Sequence, residues 1–352
     1  MMILILLVIL SLLAGSLIYT KLFSGRFFKR HHLLVESAQE DLIEHLQDLS
    51  NWTDWLPWLL FDKSAKITFE YANPLSPLAS CLVWQGKLIQ SGCVYLEASR
   101  HNAPYFHCLI EAPAFYPSDL HFNIDVTKQK QGTLISFQVT GKLPFWRRWQ
   151  QADYAIRADK DAELAMLLLH QHLQQSTLST SFAEQVKPSS EVMTQPIFDF
   201  LGTTQLTNLD AVTRPFTVNH QPMSQKMDQG FHELITALGP ENPPAGPSFA
   251  LYRQVDLAHH VFTGRLGIPV QNMVPCELCP ERITLKGNYL TLRYTGRYQF
   301  LSVAWHVLYS YMRLSKIKPR RHHEGLEIFE TGPNQADQPK DYVTKICLPV
   351  KS

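Results

Sequence analysis

Cysteine is scarce in this chain: there are six in 352 residues, at positions 81, 93, 108, 276, 279 and 347. A chain of this length builds its cores without covalent staples, so a disulfide framework is excluded and reduced thiols are expected. Cys276 and Cys279 form one CxxC with no second pair, between Pro275 and Pro280. A structural zinc site needs four ligands, and a redox CxxC opens a helix after a strand, so this pair reads as loop without function. The adjacent pairs His31-His32, His259-His260 and His322-His323 are poor chelators, because neighbouring side chains on strands and helices point apart. Also missing are a glycine-rich phosphate loop, a G-x-S-x-G elbow, an H-E-x-x-H helix and a helix-turn-helix ahead of the second half. No metal and no cofactor is expected. Thirty-two Lys and Arg balance 31 Asp and Glu, leaving a net charge of +1 and no electrostatic case for a nucleic-acid partner.

Charge is absent from Met1 to Tyr19. At ~1.5 Å per residue such a helix spans ~28 Å, close to the ~30 Å hydrocarbon core of a bilayer. A cleaved signal peptide would carry a positive start, and none precedes Lys21. Leu13-Ala14-Gly15-Ser16 has serine where a lipoprotein box needs cysteine. Lys21, Arg26, Lys29 and Arg30 precede the first acid, Glu36. These features predict a transmembrane anchor over 1–20, amino terminus outside, with the soluble body in the cytoplasm at the inner membrane.

Glycine is absent from Ser176 to Gln195, where eight of twenty residues are Ser or Thr and hydrophobic periodicity fades. We read 176–196 as an exposed linker between a domain over 33–175 and a second over 197–352. In the first, Ser37 and Glu40 have capping-box spacing ahead of an apolar face of Leu42, Ile43, Leu46 and Leu49. Six strand-like runs between Ile67 and Thr140 follow, then an apolar-striped helix over Asp159–Gln175. An antiparallel sheet gripping a terminal helix fits that order.

Asn51-Trp52-Thr53-Asp54-Trp55-Leu56-Pro57-Trp58, then Val83-Trp84-Gln85-Gly86 and Ser91-Gly92, resembles polyketide-cyclase-type members of the SRPBCC (START-like, helix-grip) superfamily. The resemblance implies a cavity between sheet and helix for an apolar ligand, with Trp55 and Trp84 as contacts. By size alone, tryptophans at three-residue spacing serve first as packing.

The second domain repeats itself. A strand near Asp210–Val218, a helix carrying Met223, Met227, Phe231, Leu234 and Leu238, and strands over Ser248–Asp256 and His259–Pro269 make one β-α-β-β copy. A strand at Tyr289–Tyr294, a helix carrying Leu301, Ala304, Trp305, Leu308 and Met312, and strands at Leu326–Glu330 and Tyr342–Val350 make the other. The fold class is therefore α+β: an amino-terminal membrane helix, a helix-grip sheet domain and a tandem pseudo-twofold domain.

Tyr294-Thr295-Gly296-Arg297-Tyr298, Trp305, Glu327-Ile328-Phe329 and the ending Leu348-Pro349-Val350 resemble the GyrI-like effector-binding domain. The resemblance implies a cleft for cationic or amphipathic small molecules, faced by an acidic residue whose position Glu327 occupies. Phe329 stands where the family has tyrosine. Alternation places Glu327 and Phe329 on one strand face and Leu326 and Ile328 on the other. Tyr298, Trp305 and Tyr252 complete the expected ligand contacts. The expected function is a membrane-anchored cytoplasmic protein that senses or sequesters small hydrophobic or cationic compounds. The alternative is a hydrolase or cyclase working through Glu327 and Tyr298.

Overall fold

The computed structural model describes residues 22–351 and scattered positions between 9 and 19, apart from 73–77, 98–103, 184–196, 220–221, 257–260, 272–280 and 322–323. The chain divides into two compact units, 1–189 and 190–352. Each is built on its own antiparallel sheet, with helices, in a mixed α+β arrangement.

Unit 1 holds strands β1 (Arg26–Val35), β2 (Lys66–Glu70), β3 (Cys81–Gly86), β4 (Gln90–Leu96), β5 (Tyr105–Glu111), β6 (Leu120–Gln129) and β7 (Gly132–Lys142). They form one sheet in the order β1-β7-β6-β5-β4-β3-β2. Along β7, Ile135, Phe137 and Val139 are buried while Ser136 and Gln138 are partly exposed, the period-two pattern of a sheet with one packed face. Helix α1 (Gln39–Gln47) buries Leu42, Ile43 and Leu46. Helix α2 (Gln151–Ala183) packs on β1 and β7. Its Asp159 receives His31 Nε2 at 2.9 Å, with Lys29 Nζ at 3.7 Å. His32, pointing the other way, bonds Ser136 Oγ at 2.8 Å.

The structure corrects several expectations. Among the described residues no helix is long and apolar enough to cross a membrane, so the single-pass anchor and the inner-membrane placement drawn from it do not stand. Part of 1–20 lies outside the described residues. Three of the four basic residues read as a cytoplasmic flank belong to β1, with Lys21 outside the described residues: Arg26 lies opposite Lys142, Lys29 meets Asp159, and Arg30 lies over the Phe28 ring. Just before it, the Tyr19 hydroxyl donates to the Phe145 carbonyl at 3.0 Å, which ties that segment to unit 1.

The domain start at 33 falls inside β1, which begins at Arg26. No capping box forms, because the N-cap of α1 is Ala38 with no side-chain bond, and the Ser37 carbonyl accepts from Thr133 Oγ1 instead. Helix α2 runs past Gln175 to Ala183, taking in the first part of the expected linker. Ser-Thr-Leu-Ser-Thr-Ser-Phe-Ala contains no glycine or proline to stop it. The rest of that linker, 184–196, lies outside the described residues.

Unit 2 comprises β8 (Phe198–Asn219), α3 (Met223–Leu238), β9 (Phe249–Asp256), β10 (Val261–Pro269), β11 (Glu281–Thr295), α4 (Leu301–Leu314), β12 (Gly325–Thr331) and β13 (Val343–Pro349). The strands close a barrel in the order β10-β8-β11-β13-β12-β9, with β10 and β9 also paired. The two β-α-β-β copies meet along β8–β11 and along β9–β12. Both β8 and β11 outrun the strands expected at 210–218 and 289–294, because each continues along the other from Glu281↔Thr213 to Tyr294↔Phe198. Proline and glycine do not interrupt this pairing: Pro215 sits where β8 meets β10, and Gly287 marks a register shift on β11.

Candidate functional site

Side-chain alternation on β12 decides what Glu327 meets. Leu326 and Ile328 join Phe249, Leu251 and Cys347 in one apolar cluster. The opposite face, with Ala250 and Tyr252 of β9, packs with Phe231, Leu234 and Leu238 of α3, and Phe329 belongs to it. Glu327 pairs with Ala250 across the β9–β12 ladder, and Gly325 pairs with Tyr252. Tyr252 is therefore the diagonal neighbour of Glu327 on the same face, within reach of a long side chain.

Glu327 is 3% exposed. Tyr252 Oη donates to its Oε2 at 2.7 Å, and Trp305 Nε1, from α4, donates to its Oε1 at 2.6 Å. Both donors are neutral, and among the described residues no cation pairs with the carboxylate. A buried, ionised carboxylate without a counter-charge is costly even when hydrogen-bonded. Burial accordingly pushes the Glu327 carboxyl above its ordinary value, against the opposing pull of the Trp305 and Tyr252 hydrogen bonds. The Tyr252 phenol is driven well up by its own burial and by the neighbouring carboxylate.

An aromatic row lies beside this centre. Phe231 of α3 meets Phe329 edge-on at 6.0 Å, Phe329 meets Tyr298 at 5.7 Å, and Tyr298 meets Tyr342 at 4.9 Å. The row draws on both β-α-β-β copies, since Phe231 belongs to the first and the others to the second. Burial, then the charges of Glu327 and Asp228 together with Tyr342, push the Tyr298 phenol up to about 12.

Of the residues expected to bind ligand, Glu327, Tyr252, Trp305, Phe329 and Tyr298 come together in unit 2. Among the described residues no hydrogen bond joins Glu327 to Tyr298: Tyr252 holds the carboxylate, and the Tyr298 ring meets Phe329 and Tyr342. The reason is register, because Tyr252 lies on the strand that pairs with β12 whereas Tyr298 begins the turn before α4.

Trp55 and Trp84 belong to unit 1 and are fully buried there. Trp55 lies 4.5 Å from Trp52 and 6.3 Å from Phe137, and Trp84 stacks on Trp58 at 6.2 Å. Among the described residues their indole N–H groups have no acceptor, whereas Trp52 donates to the Leu46 carbonyl and Trp58 to Asp161. Asp161 escaped notice in the sequence. Buried on α2, it takes Trp58 Nε1 at 3.1 Å and Tyr116 Oη at 2.6 Å, the same indole-and-phenol pairing that Glu327 has. Only its place on the apolar stripe of the helix could have marked it.

Among the described residues no group of three or more His, Cys, Asp or Glu is placed to hold a metal ion. Cys276, Cys279, His259, His260, His322 and His323 lie outside the described residues.

No protein-family model and no curated protein matches the chain. Solved structures do. The EcmrR C-terminal domain is similar at 13% identity and a TM-score of 0.39, over 45% of this chain and 99% of that one. SAV2435 bound to tetraphenylphosphonium is similar at 17% identity and a TM-score of 0.32, over 43% of this chain and 93% of that one. A hydrolase encoded by lin2189 of Listeria innocua is similar at 10% identity and a TM-score of 0.32, over 42% and 90%. At these identities and scores none of them speaks for the activity of this chain.

Proposed function

We propose that unit 2 binds a hydrophobic organic cation, as a sensor or a sequestering protein, with Glu327 as the charge partner and the aromatic row as the wall. The observation that supports this is a carboxylate with 3% exposure whose hydrogen bonds come only from neutral groups. Such a group lacks a positive charge, and a bulky cation supplies one without requiring a matched hydrogen-bond donor. Trp305, Tyr298 and Phe329 offer ring faces with cation–π attraction of ~0.5–2 kcal/mol each. The test is calorimetric titration of the full chain with tetraphenylphosphonium and with neutral triphenylphosphine oxide. The cation binds and the neutral molecule binds at least tenfold more weakly if the reading holds. Equal affinities would remove the charge-reading role.

For unit 1 we propose, separately, an apolar ligand bearing a hydrogen-bond acceptor, with Trp55 and Trp84 as contacts. The two buried indole donors, without a partner among the described residues, support it, since such groups are normally satisfied. Native mass spectrometry of the freshly purified protein tests it. A retained small molecule lost on Trp84→Phe is expected, and a bare mass for the native chain would leave these tryptophans as packing alone.

A further inference from the structure

Unit 1 carries a surface that its packing does not use. Residues Phe145–Gln150 form a 3-10 turn leading into α2. Trp146 is 72% exposed, Trp149 60% and Phe145 43%. Ile156, in the second turn of α2, is 51% exposed. Single exposed apolar residues are ordinary, but four large ones within twelve positions make a patch that calls for a partner.

The charge in this segment has one dominant sign. Phe145 to Arg157 contains Arg147, Arg148 and Arg157 against the single acid Asp153. Among the described residues none of the three guanidiniums pairs with a carboxylate. They are held by other means. Arg147 Nη1 donates to Tyr154 Oη at 2.9 Å, Arg148 lies over the Phe145 ring at 5.5 Å, and Arg157 lies over the Tyr154 ring at 5.0 Å. The turn is braced: Tyr19 Oη donates to the Phe145 carbonyl and accepts the Trp149 amide, and Trp149 Nε1 donates to the Trp146 carbonyl. The result is a fixed array of tryptophan rings interleaved with unneutralised guanidiniums.

We infer that this face docks on an anionic lipid surface, with Trp146 and Trp149 at headgroup depth and Arg147 and Arg148 on phosphate oxygens. Tryptophan, apolar in body with one polar N–H, settles at the boundary between headgroups and acyl chains. Arginine's planar fork matches phosphate oxygens and sits easily beside aromatic rings. Lipid supplies a dense sheet of anions over an apolar layer, which is what this mixture complements, and it requires no shape match to the turn. The contact lies on the surface; nothing in it crosses a bilayer, and it is independent of the ligand site in unit 2.

The full chain is sedimented with vesicles of phosphatidylcholine alone and of phosphatidylcholine mixed with phosphatidylglycerol. Alongside it run Arg147→Gln with Arg148→Gln, and Trp146→Ala with Trp149→Ala. The native chain should prefer the anionic vesicles and release them as salt rises. The arginine variant should lose about 30-fold in partition on anionic vesicles, taking ~1 kcal/mol per cation near such a surface, and show no lipid preference. The tryptophan variant should bind both vesicles less. All chains keep the amino-terminal apolar segment, so the comparison isolates the patch, and thermal unfolding checks that each variant is folded. Unchanged partition in both variants, or no vesicle binding by the native chain, overturns the inference; in the latter case an acidic protein becomes the partner these residues fit.

Discussion

Gly325 abuts the indole of Trp305: a Cβ at position 325 would stand 2.8 Å from Cη2 and 3.3 Å from Cζ2 of that ring. The same indole is held at its other end by the 2.6 Å bond from Nε1 to Glu327. Any side chain at 325 therefore has to push the ring or stretch that bond. Gly325→Ala should destabilise unit 2 by ~1–3 kcal/mol, the usual cost of overpacking around a rigid group. Urea unfolding measures it. A neutral result would mean that the ring moves freely, and Trp305 would then be a loose donor to Glu327.

Tyr252 makes the other bond to the carboxylate. Tyr252→Phe keeps the ring and removes the donor, leaving one acceptor atom of Glu327 bare in a buried site. A hydrogen bond to a charged group is worth ~1.5–3 kcal/mol, and a loss of that size is expected above the Glu327 titration. Below it the protonated carboxyl is neutral and the loss should shrink. Denaturation at two pH values distinguishes this from simple loss of packing, which would be the same at both.

The pH dependence of stability has a definite sign at this site. The folded pKa of Glu327 is raised above its ordinary value, with burial the main cause. Between the unfolded and folded values the folded state holds a proton that the unfolded state has released. Its stabilising share is thus fully present below the unfolded value of ~4.3 and is lost as pH rises through the folded one. Glu327→Gln has no such titration. The variant should gain on the native chain in melting temperature as pH rises from acid to neutral. A constant difference across that range would show that Glu327 does not titrate differently on folding.

The contact division of the chain falls between Ser189 and Ser190, and α2 extends to Ala183. We propose the linker between the units within 184–196. Limited proteolysis should cut first there and release two fragments that each unfold cooperatively. First cuts inside α2 or β8 would move the boundary.

Much of unit 2 was legible because its signals are local. The face of α3 with Phe231, Leu234 and Leu238, the alternation that separates Glu327 from Leu326 and Ile328, and the turn before α4 each lie within a few residues. What was not legible depends on pairing at a distance. Tyr252 and Glu327 are 75 residues apart and meet only because β9 and β12 join the two copies. The extensions of β8 and β11 rest on each other rather than on apolar runs of their own, so stretches such as Thr203 to Asn208 gave little strand signal. At the start of the chain, charge alone suggested a flank, whereas Lys29 and His31 belong to a strand edge facing Asp159 of α2. Asp161 looked like one more polar residue on a helix until Trp58 and Tyr116 were seen to converge on it.

The central claim is that Glu327 reads positive charge, and the direct measurement is the affinity of Glu327→Gln for tetraphenylphosphonium and for triphenylphosphine oxide. Glutamine keeps the shape and a hydrogen-bonding acceptor and loses the charge. Removing one partner of a buried charge pair costs ~2–5 kcal/mol, so the cation should bind ~30- to 5,000-fold more weakly while the neutral molecule is held as before. An equal change for both ligands, or no change for either, would contradict the account.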